Sequence, residues 1–137
     1  MGAKRRLFAF GAIGGVGFAV DAGILQALYL LGIPPLLARC VSFPCAVTAT
    51  WLLNRRFTFG DRPQANSRSQ YALYVGGQIA GALINVAAFI LTMHYQPSLS
   101  TRPLIPLVVG SATALIFNYM WANLFVFRPS STQGSVT

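Results

Sequence analysis

The sequence predicts an all-α membrane protein: four transmembrane helices built as two helical hairpins that repeat one another in parallel, with both chain ends on the cytoplasmic side. Three observations predict it. Of 137 residues, 55% are hydrophobic and only 9% charged, against roughly 25% charged in an ordinary soluble domain, too few to clothe a water-soluble surface. Four apolar runs approach the ~20 residues that a helix needs to cross the hydrocarbon core. Finally, Gly14, Gly17 and Asp21 recur as Gln78, Gly81 and Asn85 at an offset of 64 residues, and such self-similarity in so apolar a chain marks two copies of one membrane hairpin.

The first span is read as Leu7 to Leu31, and Gly32-Ile33-Pro34-Pro35 turns the chain. The basic Lys4-Arg5-Arg6 before it imitates a secretory signal, but the run continues without a clear small-residue cleavage site, so it is kept as a mature helix. The second span runs from about Leu36 to Leu53 and continues as an interfacial helix towards Phe59. Pro44 inside it frees the carbonyl of Cys40 and is expected to kink the helix. Residues 60–69 are polar and read as a loop. The third span covers about Tyr71 to Tyr95, Gln96 to Arg102 turn the chain again, and Leu104 to Val126 form the fourth. Repeat 1 thus occupies about residues 6–59 and repeat 2 about 70–127, in a single domain of residues 1–128. Residues 129–137 make a short polar tail, expected to be disordered.

Orientation follows from basic residues in short loops. Eight of the ten (Lys4, Arg5, Arg6, Arg55, Arg56, Arg62, Arg68, Arg128) fall on the side of the chain ends and the 54–69 loop; only Arg39 and Arg102 fall near the other. That side is cytoplasmic, and hairpins that start and end inside are parallel repeats. The net charge of +8 does not point to nucleic acid, because these cations flank apolar segments instead of lining one helix face. Cys40 and Cys45 have neither disulfide nor zinc-site spacing and read as buried apolar thiols.

Asp21 is the only acid inside a span. A carboxylate at mid-helix costs about 2.5–3.5 kcal/mol on insertion scales, so it needs a partner or a use, and its removal is expected to be strongly destabilising. It lies about 22 Å along its helix from Arg6, and Arg39 lies as far before Asn54 on the returning helix. The two are therefore expected to meet in the outer half of the first hairpin, either as a static pair or as a station where an anionic headgroup competes for Arg39. Gln78, Asn85, Asn118 and Asn123 are the intramembrane polar residues of the second repeat, which has no matching Arg. The Gly14–Gly17 and Gly81 stripes, with the pairs Gly11–Gly15 and Gly77–Gly81, let helices approach closely. Asn54, Arg55 and Arg56 sit together at the inner surface, either to capture a lipid phosphate through forked guanidinium bonds or as a plain topology determinant against bulk anionic lipid. Trp51, Phe57 and Phe59 suit interfacial anchors.

With these residues in view, the chain resembles the GtrA-like family of small four-helix bacterial membrane proteins over about residues 6–128. The resemblance rests on Arg6 to Asp21, on Ser42-Phe43, on Leu53-Asn54-Arg55-Arg56-Phe57-Thr58-Phe59 and on Asn118 to Phe127, with Leu124 standing where the family often has Arg. It implies residence in the bacterial cytoplasmic (inner) membrane and translocation of a polyprenyl-phosphate-linked sugar for glycosylation of cell-surface polymers. Arg55, Arg56, Asn54 and Arg39 would serve its phosphate. A second reading is a non-transporting accessory partner of a glycosyltransferase; a third is a small multidrug antiporter, against which the basic inner face and the intramembrane Arg argue. Four helices enclose little space for a sugar headgroup, which points to a homodimer. No Walker-type phosphate loop is present. No Ser/His/Asp cluster or paired carboxylates point to an enzyme, and no cofactor or metal is expected; the one His, His94, falls near the outer interface.

Overall fold

The computed structural model describes residues 2–63, 66–98 and 104–129, apart from the side chains of Pro35 and Leu104. The expected disordered tail lies outside these from residue 130 on, as does Arg102 with most of the second turn. Every regular element among the described residues is helical. The helices are α1 (Ala3–Leu30), α2 (Pro35–Leu53), α3 (Ser67–Tyr95) and α4 (Leu104–Trp121). Two of them run on into π-helical turns, α2 into Asn54–Thr58 and α4 into Ala122–Val126. With those turns, all four are long and apolar enough to cross a membrane, the shortest at 22 residues, or about 33 Å at 1.5 Å per residue. Only 11–22% of each apolar window is buried within the protein, so most of the apolar helix surface is left for lipid.

The chain divides into two compact units, Met1–Gln64 with Pro129–Thr137, and Ala65–Arg128. In the first unit α1 packs on α2. The turn between them is set by Gly32, which alone among the described residues has a positive φ, +82°. Its N–H donates to the Tyr29 carbonyl at 3.0 Å and that of Ile33 to Leu28 at 3.1 Å, the paired bonds that end a helix on a left-handed glycine. Pro34 follows, so the helix cannot resume before α2. Helix α2 stays continuous through Pro44. Gly17 brings the two helices together: a Cβ there would run into the Thr50 side chain. Gly14 and Gly15, in contrast, face open space.

In the second unit α3 packs on α4. Helix α3 begins four residues before the expected Tyr71, because Asn66 caps it by accepting from the Arg68 N–H at 3.0 Å. Gly77 and Gly81 are both close-approach sites, against Trp121 and Asn118. Gly110 is a third, with no room for a Cβ beside the Asn85 backbone. Each π-helical turn ends on a fully buried aromatic, whose N–H reaches back five residues: Phe59 to Asn54 at 2.9 Å and Phe127 to Ala122 at 2.8 Å. Phe127 meets Tyr74 edge to face at 6.3 Å.

Candidate functional site

Helices α1 and α2 bring Asp21 and Arg39 together. An Arg39 Nη1 donates to Asp21 Oδ2, the ion pair that their matched heights predict. The partners are unequally placed, with the Asp21 side chain 13% exposed and that of Arg39 52%. The second carboxylate oxygen, Oδ1, is buried with no hydrogen-bond partner. Ser42, three residues beyond Arg39 on the same helix face, is fully buried and its hydroxyl is also unpartnered. A polar group left so in a nonpolar interior costs about 1–3 kcal/mol. Both atoms are thus under-satisfied. Beyond its place in the family motif nothing in the sequence singled out Ser42, since a lone Ser in an apolar run carries no spacing signal.

The first π-helical turn carries the second cluster. Asn54 is not at the surface as expected: it is 1% exposed and its Oδ1 accepts from the Thr58 hydroxyl at 2.9 Å. Within the π-helical turn the Asn54 side chain faces inward and holds the Thr58 hydroxyl, while its own carbonyl accepts from the Phe59 N–H. That leaves Arg55 and Arg56 as the outward pair. Arg55 lies over the Trp51 ring at 5.3 Å and Arg56 over Phe57 at 5.9 Å. With Leu52 and Gly60 they line one open depression of about 440 Å³. Gly60 is required there, because a Cβ would collide with the Arg56 carbonyl. Arg6 bonds Asp61 at 2.5 Å and Arg62 lies over Phe59 at 5.0 Å, tying the segment after the turn to α1 and to the buried aromatic. Of the expected interfacial anchors only Phe57 is exposed; Trp51 and Phe59 are buried.

The second unit holds amides in place of charges. Asn118 Nδ2 donates to Gln78 Oε1 at 3.5 Å, while its Oδ1 is buried and unpartnered. Asn85 lies against Gly110, and Asn123 is half-buried in the second π-helical turn. Gln70, which sequence reasoning passed over as a loop-edge residue, is buried and donates to the Val126 carbonyl at 3.3 Å. Trp121 Nε1 donates to the Leu73 carbonyl at 2.8 Å. The turns themselves start at Asn54 and Ala122. By turn position Asn123 therefore matches Arg55 and Leu124 matches Arg56, one residue off the pairing of Asn123 with Asn54 that the sequence suggests. The second turn has no guanidinium at either place.

Cys40 and Cys45 are free, but neither is buried: both are exposed on α2. Among the described residues no group of three or more His, Cys, Asp or Glu side chains is placed to hold a metal ion. The family model for the GtrA/DPMS transmembrane domain matches residues 9–127. No curated protein matches the chain.

Proposed function

Since the chain belongs to the GtrA/DPMS transmembrane-domain family, we propose that it carries a polyprenyl-phosphate-linked sugar across the bacterial cytoplasmic membrane, with both chain ends inside. The observation that carries this reading is the placement of two adjacent guanidiniums, Arg55 and Arg56, on one open depression at the end of an apolar helix. Guanidinium forks match phosphate oxygens, and a charge-assisted bond is about twice as strong as a neutral one. Arg39 stands 16 residues back on the same helix, about 24 Å towards the other surface. Its pairing with a carboxylate gives the phosphate a competitor to displace, so Arg39 can be handed from one anion to another without ever being left unpaired in hydrocarbon. The prenyl chain stays in the bilayer throughout, and only the polar head needs a path across the ~30 Å core.

The test reconstitutes the full chain in vesicles with a labelled polyprenyl-phosphate sugar on one leaflet and follows its appearance on the other. Acceleration by the native chain that Arg55→Gln with Arg56→Gln reduces at least about tenfold, as the loss of 1.4 kcal/mol or more of phosphate binding requires, supports transport. No acceleration, with copurification of a glycosyltransferase, assigns the chain instead an accessory role beside that enzyme.

A further inference from the structure

A second depression opens on α2, about 420 Å³ in volume and lined by Pro44, Cys45, Thr48, Ala49 and Leu52. Leu52 also lines the depression at Arg55, Arg56 and Gly60, so the two run end to end. The spacing is that of one helical stripe, with neighbours four apart lying above one another. From Pro44 to Arg55 the stripe is about 16 Å long.

The chemistry changes along the stripe. Its first part is hollow because its side chains are short: Pro, Cys, Thr and Ala, with Leu52 as the ridge at the end. Thr48 adds little polarity, since its hydroxyl donates to the Pro44 carbonyl at 2.7 Å. The far end carries two guanidiniums. An apolar trough that ends in paired cations is complementary to an amphiphile with one hydrocarbon chain and one anionic head.

We infer that this trough seats the prenyl chain of a prenyl phosphate, with the chain along Pro44 to Leu52 and the phosphate at Arg55 and Arg56; the inference rests on the function proposed above. The trough follows one stripe of one helix, so a diacyl phospholipid can lay only one of its two chains along it. In a bilayer the chain leaves surroundings as apolar as the trough, so no hydrophobic gain drives it in. Close van der Waals contact along the trough selects the shape of the chain, while the guanidiniums supply the affinity. Leu52, shared by both depressions, marks the junction of chain and head.

The two exposed thiols provide the test, because Cys45 lines the trough and Cys40 is not among its residues. The full chain is placed in nanodiscs of a zwitterionic lipid, once as Cys40→Ala and once as Cys45→Ala, and alkylation by N-ethylmaleimide is timed by mass spectrometry. A synthetic polyprenyl monophosphate at several times its Kd is expected to slow modification of Cys45 about fivefold, by simple occupancy. It leaves Cys40 unchanged, and adding Arg55→Gln with Arg56→Gln abolishes the protection. No slowing at Cys45, equal slowing at Cys40, or equal protection by phosphatidylglycerol each overturns the inference. Failure here is distinct from failure of the transport reading. Protection of Cys45 without flipping keeps the trough and removes transport, whereas flipping without protection keeps transport and removes the trough.

Discussion

Removing either half of the Asp21–Arg39 pair should not cost the same. Asp21 lies nine residues before the end of α1 at Leu30, about 14 Å along the helix, so its short side chain cannot reach an interface. Arg39 is four residues into α2 from Pro35, about 6 Å, and its long side chain, already 52% exposed, can snorkel outward. Arg39→Ala therefore leaves a buried carboxyl whose Oδ1 has no partner to begin with. The loss is bounded by the insertion cost of a central Asp, about 2.5–3.5 kcal/mol. Asp21→Ala removes that burden together with the acid and leaves a guanidinium that can reorient, so the net loss is about 1 kcal/mol. The double variant should cost little more than Asp21→Ala alone, a coupling of about 2 kcal/mol. The assay is reversible unfolding in mixed micelles on titration with dodecyl sulfate, followed through Trp51 in the same unit. A cost for Asp21→Ala equal to or above that of Arg39→Ala, or additive losses in the double variant, would refute the reasoning. The sequence, which shows the expense of the acid and not its burial, leads to the expectation that Asp21→Ala is strongly destabilising; the unpartnered Oδ1 is the reason for the smaller loss expected here.

Three further outcomes follow from close contacts in the two units. Gly60→Ala forces a Cβ onto the Arg56 carbonyl, so it should distort the first π-helical turn and cut prenyl-phosphate binding, measured by thermal shift in nanodiscs, while Gly14→Ala, which faces open space, changes nothing. Gly81→Ala meets the Asn118 amide and should cost about 1–3 kcal/mol as overpacking, read by the same micelle titration through Trp121. Asn54→Ala strands the buried Thr58 hydroxyl and should cost about 1–3 kcal/mol; adding Thr58→Val is expected to recover part of it, as a double-variant cycle would show.

Much of the fold is legible in the sequence because hydrophobic length is a one-dimensional signal. Four apolar runs and the Gly-Pro punctuation at residues 32–35 locate the helices to within a few residues, and two heights counted from helix ends suffice to pair Asp21 with Arg39. What escapes is whatever depends on the angle of a side chain about its helix. Asn54 beside two arginines reads as a surface residue, yet the π-helical turn rotates it inward to Thr58. Gln70 looks like the edge of a loop because the Asn66 cap that extends α3 has no hydrophobic signature. Cys40 and Cys45 look buried because apolar neighbours in a membrane helix do not say whether protein or lipid covers them.

The second unit serves as an internal control on the Asp21–Arg39 pair. It has no Asp or Glu at all in its sequence, yet its helices approach as closely, with Gly81 against Asn118 where the first unit has Gly17 against Thr50. Counting back from the π-helical turns, Ser42 matches Gly110 and Arg39 matches Leu107, while the repeat offset matches Asp21 with Asn85. A hairpin of this build thus packs with an amide and an aliphatic residue where the first unit keeps an ion pair. Ion pairs removed from water are commonly replaceable by neutral side chains with no loss of stability, so packing alone does not account for the charges. The exchange Asp21→Asn with Arg39→Leu should therefore match or exceed the native chain in the micelle titration. In the vesicle assay it should lose its acceleration of lipid-linked sugar transfer, even though Arg55 and Arg56 are intact. Native transfer by this neutral variant would reduce the pair to a packing device.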